Sequence, residues 1–204
     1  MKKIRCIFLD IDGPMIPLRA YSLVNQTKGI VSTFDPCAVG MLNKLITDNH
    51  TSIVISSTWA SKGFTKCFEL LQKNGVVGNL HPDWRTPRKM TSSRTSEIAM
   101  WLDNHPEITH YCALDDEMLD ATILPSFVQC DPYEGFSYRN FLEAKQYLDI
   151  ITDQEKETLH YLRRREIWRT QRNGDPLEYY TWEVADKMFP VEPNLQPHWY
   201  RGLN

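Results

Sequence analysis

Ile7-Phe8-Leu9-Asp10-Ile11-Asp12-Gly13 begins as a strand and ends as a turn carrying two acids. Ile4, Cys6, Ile7, Phe8 and Leu9 make an almost unbroken apolar run. Such a run suits a strand buried on both faces, so a strand is predicted over 3–9. Two carboxylates one residue apart, just past that strand, point the same way only if the chain turns at once. Gly13 permits the turn. Taken alone, Asp-x-Asp-Gly is a weak signal, because aspartate and glycine crowd turns of every kind. Its meaning depends on what the rest of the chain places beside it.

Working outward, residues 14–34 hold Pro14, Pro17 and Gly29 among mixed residues and read as a loop or a small flap. Asp35-Pro36 opens a helix over 36–49, with aspartate at the N-cap, proline at the first helical position, and Val39, Leu42, Leu45 and Ile46 on one face. Thr51–Ser56 is a second buried strand, 62–74 a helix stopped by Gly75, and Val76–Leu80 a short third strand. Residues 81–93 read as loop. A helix carrying Ile98, Trp101 and Leu102 follows, capped by Ser93 or by Thr95. Thr109–Leu114 and Ser126–Cys130 are further strands, and Tyr138–Ile150 is a helix. Strands alternating with helices predict an α/β fold: a Rossmann-like open parallel sheet with helices on both faces and a minimal cap. This domain spans 1–150. Residues 151–204 form a different kind of segment, a charged helix over 153–172 and then an aromatic tail. Trp168, Tyr179, Tyr180, Trp182, Trp199 and Tyr200 make this extension too aromatic for a disordered one, so it is expected to pack on the main domain or on a partner.

Composition narrows the class. A charged fraction of 24% beside 42% hydrophobic residues fits a soluble globular chain. No apolar run approaches the roughly 20 residues of a membrane-spanning helix. The N-terminal apolar stretch is too short and too soon acidic for a signal peptide, so a cytoplasmic location is expected. Cys6, Cys37, Cys67, Cys112 and Cys130 are dispersed without a C-x-x-C pair, which argues against a disulfide framework or a zinc site. Net charge is −3, so the chain as a whole is no magnet for nucleic acid. Positive charge is local: Arg85, Arg88, Lys89 and Arg94 form one stretch, and Arg163, Arg164, Arg165, Arg169 and Arg172 a denser one that reads as a solvated helix face.

In open parallel sheets ligands sit beyond the carboxyl ends of the strands. Asp10, Asp12, Ser56, Asp115 and Asp116 all fall at such ends, on three separate strands. One carboxylate of the first pair can attack phosphorus while the other handles protons; a carboxylate nucleophile divides one difficult displacement into two easier ones. Its charge must approach an anionic phosphate, so a cation is required. Mg²⁺ suits an all-oxygen site that Asp115 and Asp116 complete. A hydroxyl and a positive side chain should meet the remaining phosphate oxygens, and Ser56 and Arg94 are available, with Ser57, and Lys89 or Arg88, as alternatives. Asp131, in an Asp-Pro turn, reads as structural. Trp59 and Trp101 read as core rather than as base-stacking platforms.

These residues resemble the haloacid dehalogenase (HAD) superfamily of phosphatases. Phe8-Leu9-Asp10-Ile11-Asp12-Gly13 is similar to its first motif, Ile53-Val54-Ile55-Ser56 to its second, Arg94 to its third, and Ala113-Leu114-Asp115-Asp116 to its fourth. The resemblance implies Asp10 as nucleophile and Asp12 as general acid/base. With it the expected Mg²⁺ ligands are Asp10, Asp12, Asp115 and Asp116, and the expected phosphate contacts are Ser56, Ser57 and Arg94. Ser56-Ser57-Thr58-Trp59, Arg94-x-x-Glu97-Ile98-x-x-Trp101-Leu102 and Leu114-Asp115-Asp116 resemble more narrowly a small-cap branch that includes domains of RNA-repair proteins. Two positions depart from that pattern: Pro14 follows the glycine of the first motif, and Ala60 stands where the branch often has arginine. The resemblance covers about residues 3–148. The function expected is a Mg²⁺-dependent phosphomonoesterase acting through an aspartyl-phosphate, on a nucleotide or a nucleic-acid end. The alternatives are a phosphoprotein phosphatase, a phosphotransferase, or a binding protein that meets a protein partner through the tail.

Overall fold

A computed structural model describes residues 3–23, 32–47, 50–88 and 92–172, the side chains of 166–172 excepted. The chain divides into two units, 1–150 and 151–204. The first holds one parallel sheet of five strands: β1 (Arg5–Leu9), β2 (Ser52–Ile55), β3 (Leu80–Arg85), β4 (His110–Asp115) and β5 (Phe127–Gln129), in the order β3-β2-β1-β4-β5. This is the expected open, Rossmann-like sheet. β1 lies at its centre, which is why it has no polar face: Cys6, Ile7, Phe8 and Leu9 are all fully buried.

The two-residue period of β1 assigns its side chains to two helical layers. Cys6 and Phe8 pack with Val54 and Ala113 against Ile98 and Trp101 of α4 (Arg94–Asp103). Ile7 and Leu9 alternate to the other face. There α2 (Pro36–Thr47) packs on α5 (Tyr138–Tyr147), and α2 buries Ala38, Val39, Leu42, Leu45 and Ile46. The caps are those the residue types favour. Asp35 Oδ1 accepts from the Cys37 and Ala38 amides at 2.8 and 3.2 Å, Ser93 caps α4 through the Ser96 amide, and Ser137 with Asn140 forms a capping box on α5. The flap contributes α1 (Leu18–Leu23), and residues 24–31 lie outside the described set. Its first turn is tied to the turn after β5, by the Phe136 amide donating to the Pro14 carbonyl at 2.9 Å and the Leu18 amide to the Pro132 carbonyl at 2.7 Å. Asp131 holds that same turn by accepting from the Tyr133 and Glu134 amides.

Around the second helical layer the sequence reading needs correction. The third strand is Leu80–Arg85, not Val76–Leu80, so part of the expected 81–93 loop is strand. The backbone of 75–77 bonds the Asn43 side chain instead of a ladder. Gly78 sits where a Cβ would approach Ile46 Cδ1 to 2.8 Å, so the chain crosses close over α2 before β3 begins. Pro82, which has no amide to donate, is tolerated because β3 is an edge strand whose pairing with β2 shifts register between Ile53 and Ile55. A 3-10 helix, Thr58–Lys62, also precedes the expected helix, here α3 (Phe64–Lys73).

In the second unit α6 (Asp153–Arg172) occupies the predicted charged segment, with Asp153 and Glu155 at its dipole-positive end. Tyr179, Tyr180, Trp182, Trp199 and Tyr200 of the aromatic tail lie outside the described residues, as does Lys89. No described helix is long and apolar enough to cross a membrane. Cys6, Cys67, Cys112 and Cys130 are buried and Cys37 is exposed, and all five are free thiols.

Trp101 ties the α4 layer together. Its ring meets Phe8 edge-on at 5.2 Å, and its Nε1–H donates to the Asp83 carbonyl of β3 at 3.0 Å. Trp101→Ala is expected to lower unfolding free energy by about 3–5 kcal/mol, measured by denaturant titration; a change below about 1 kcal/mol would contradict this packing.

Candidate active site

Three backbone hydrogen bonds prolong the sheet past its carboxyl edge and position the site. The Asp10 amide donates to the Leu114 carbonyl at 3.0 Å, the Ser56 amide to the Leu9 carbonyl at 3.0 Å, and the Cys130 amide to the Asp115 carbonyl at 2.8 Å. Each extends a parallel ladder by one residue. Asp10, Ser56 and Asp115 therefore stand on neighbouring strands at one level. Their strands include β1 and β4, between which the strand order reverses, the place where open α/β sheets bind ligands.

The acids are buried and close. Asp10, Asp115 and Asp116 each present a carboxylate oxygen within 4.8 Å of the others. Asp115 is completely buried and Asp10 nearly so. Among the described residues one cation serves them: Arg94 Nη1 lies 3.0 Å from Asp115 Oδ2 and 3.5 Å from Asp10 Oδ2. Arg94 is the first residue of α4, where a cation opposes the helix dipole. Burial also works against its charge, and the neighbouring Asp10 and Asp115 outweigh that burial.

Burial pushes the Asp10 carboxyl up to about 6, against the pull of Arg94. It pushes Asp115 up to about 7, and the charge of Asp10 adds to that rise. Asp116 is also raised, first by burial. Three carboxylates facing one guanidinium are short of positive charge. Hard oxygen donors at this spacing suit a divalent cation such as Mg²⁺, and Asp10, Asp115 and Asp116 are the residues that could hold one.

The turn after β1 makes this approach possible. The Met15 and Ile16 amides donate to the Ile11 carbonyl, and Gly13 has φ +80°. A Cβ on Gly13 would fall 2.3 Å from Asp116 Cγ. Glycine is thus required twice, by conformation and by the carboxylate packed on it. Asp12, one residue before, lies outside the carboxylate triplet: its Oδ2 accepts from Trp59 Nε1–H at 2.8 Å. Three of the four expected metal ligands are therefore clustered, and the fourth is held by an indole.

The two serines separate by their partners. The Ser57 hydroxyl stands beside Asp10 and favours its charged form, and its Oγ accepts from the Trp59 amide at 3.4 Å as the cap of the 3-10 helix. Ser56 Oγ is buried with no hydrogen-bond partner among the described residues. A buried hydroxyl in that state costs stability unless something else fills it. Both serines line a cavity of about 850 Å³ with Arg94, Arg85, Arg88 and Glu117. A smaller one of about 380 Å³ is lined by Asp12, Tyr21, Trp59, Lys62 and Arg88. Among the described residues neither Arg85 nor Arg88 pairs with a carboxylate; Arg85 lies over the Trp84 ring at 5.3 Å.

Of the residues singled out in the sequence, Asp10, Ser56, Ser57, Arg94, Asp115 and Asp116 come together, with Asp12 beside them. The reading missed Trp59 and Tyr21. Trp59 is buried, as expected of core, but its N–H goes to a site carboxylate, and Tyr21 on the flap helix lines the same small cavity as Asp12. Their signal was Trp59 following Ser56-Ser57-Thr58, but only the 3-10 helix returns that ring to the first turn.

A family model described as the HAD domain in Swiss Army Knife RNA repair proteins matches residues 6–141. No curated protein and no solved structure matches the chain. The chain belongs to that family and carries a hydrolase domain of the HAD type.

Gly13→Ala should cost roughly 1–3 kcal/mol of stability, from positive-φ strain and the collision with Asp116. In an Asp116→Ala background the cost should shrink, because only the strain remains; an equal cost in both backgrounds would refute the packing. The raised carboxyls give a second expectation. A carboxyl whose pKa is higher folded than unfolded contributes stability that is complete below the unfolded value, about 4, and is lost as pH rises through the folded one. For Asp115 that window runs from about 4 to about 7. In metal-free buffer the stability difference between Asp115→Asn and wild type should move in the variant's favour from about pH 5 to pH 8. Melting temperatures across that range check it, and the opposite slope would refute the raised pKa.

Proposed function

We propose that the chain is a Mg²⁺-dependent phosphomonoesterase that uses Asp10 as nucleophile and Asp12 as general acid/base, on the terminal phosphate of a nucleic acid. The observation that carries this is the unpartnered, buried Ser56 hydroxyl in the same cavity as Arg94, at the sheet edge where Asp10 and Asp115 meet. Hydroxyl and guanidinium donors beside a carboxylate nucleophile suit a phosphoryl group, whose three outer oxygens each need a donor or a cation.

In the first step the Asp10 carboxylate attacks phosphorus and the bond to the leaving oxygen breaks, with Asp12 donating the proton that oxygen takes up. In the second, Asp12 removes a proton from water as water attacks phosphorus, and Asp10 leaves as carboxylate with inorganic phosphate. Arg94 and Ser56 hold the outer oxygens. Ser57 orients Asp10. A divalent cation held by Asp10, Asp115 and Asp116 would neutralise charge as nucleophile and phosphate approach.

The substrate class draws support from the family description, which places this domain in RNA-repair proteins, and from the cavity itself. A volume of about 850 Å³ exceeds what one phosphate needs, and Arg85 and Arg88 supply positive charge away from Asp10. The flap between Gly13 and Asp35 spans only residues 14–34, short for a lid domain that would enclose a small substrate, which suits a bulky ester.

The test compares oligonucleotides bearing 3′- or 5′-phosphate with a phosphoserine peptide, with and without Mg²⁺, beside Asp10→Asn. Phosphate release from an oligonucleotide that requires Mg²⁺ and falls at least about 10³-fold in Asp10→Asn is expected. Release surviving in that variant would reject Asp10 as nucleophile, and preference for the peptide would reject the substrate class.

A further inference from the structure

We propose that Trp59 is a positioning residue for Asp12, fixing one carboxylate oxygen through its indole N–H so that the other faces the leaving-group oxygen. This rests on Asp12 being the acid/base of the reaction proposed above. Trp59 Nε1–H donates to Asp12 Oδ2 at 2.8 Å, and the hydrogen bond takes Oδ2 alone. Indole N–H is a donor with no acceptor capacity and does not titrate, so it orients the carboxylate without competing for its proton.

Trp59 is itself held, through its backbone and over its ring. Its own amide donates to Ser57 Oγ, its carbonyl accepts from the Cys67 thiol at 3.3 Å, and the Lys62 ammonium lies 3.2 Å from the ring centroid. Lys62 belongs to the same 3-10 helix and sits in the cation–π position, which favours one setting of the indole plane. Ser57, which caps this helix, stands beside Asp10 and favours its charged form. One rigid turn therefore reaches both carboxylates of the first motif, Ser57 to Asp10 and Trp59 to Asp12. Backbone geometry alone leaves the Asp12 carboxylate free to rotate about χ1 and χ2; the indole bond removes that freedom. Tyr21 of α1 lines the same small cavity as Asp12 and Trp59, so the flap helix borders this carboxylate.

A tryptophan that only filled space would affect all substrates alike. A tryptophan that orients a general acid matters in proportion to how much the leaving group needs a proton. The experiment compares an aryl phosphate, whose phenolate leaves unaided, with an alkyl phosphate, whose alkoxide does not. Wild type and Trp59→Phe are assayed with both; phenylalanine keeps a ring and removes the donor. The expected result is a kcat loss of about 10- to 100-fold on the alkyl ester, little change in KM, and a much smaller loss on the aryl ester. Equal losses on both esters, or a loss confined to KM, would overturn the proposal. A second measurement does not depend on turnover. Among the six tryptophans, the indole ¹⁵N–¹H resonance that Trp59→Phe deletes should be the one moved most by Asp12→Asn, and an unmoved resonance would refute the contact. Absence of wild-type turnover on every phosphate ester would reject the phosphatase reading itself, while the resonance still decides the contact.

Discussion

Everything at the site hangs on the parallel pairing of β1 with β4. The ladder aligns Leu9 with Leu114, and the next rung joins the Asp10 amide to the Leu114 carbonyl. In a parallel sheet every strand ends on the same edge, so polar residues that follow separate strands gather without any sequence proximity. Here that brings residues 10, 56 and 115 to one level. Slipping either pairing by one residue would turn the apolar side chains of β1 to the wrong layer, so the same burial that stabilises the sheet fixes the register of the site.

Bringing acids together in a dry place has an electrostatic cost, and the fold answers it only in part. Arg94 bridges Asp10 and Asp115, yet burial still holds both carboxyls well above the usual range. A site that completed its own charge balance would have no use for a cation or for an anionic substrate with its counter-ion. The incomplete balance, with the unfilled hydroxyl of Ser56, is what makes phosphoryl chemistry the reading that fits this edge best. Precision comes from elsewhere: a short turn around Ser57 and Trp59 whose indole holds Asp12, and Gly13, whose missing side chain admits Asp116.

Much of this was legible in order along the chain. The apolar run before Asp10, the Asp35-Pro36 helix start and the acids after the fourth strand each carry a strong local signal, and each lies where it was expected. The third strand was not legible. Leu80–Arg85 contains a proline, a histidine and an aspartate and is only half buried, because an edge strand meets few of the demands that make central strands recognisable. The choice between Ser56 and Ser57 was also invisible, since both follow the same strand. It turns on which hydroxyl already has a partner. Trp59 read as core and is buried, but burial does not say where an indole N–H points.

The sequence by itself determined the fold class and which residue types stand at strand ends, because hydrophobic period and turn chemistry act over a few neighbours. It also carried the order Asp10, Ser56, Arg94, Asp115, from which a HAD-type domain could be read before any coordinates. Tertiary structure decided which of those groups are satisfied and which are not. Arg94 pairs with two carboxylates, Ser57 accepts from the Trp59 amide, Asp12 is bound by the Trp59 indole, and Ser56 Oγ has no partner among the described residues. Hydrogen-bond satisfaction and desolvation depend on atoms brought from distant parts of the chain, and only the packed sheet edge brings them within reach.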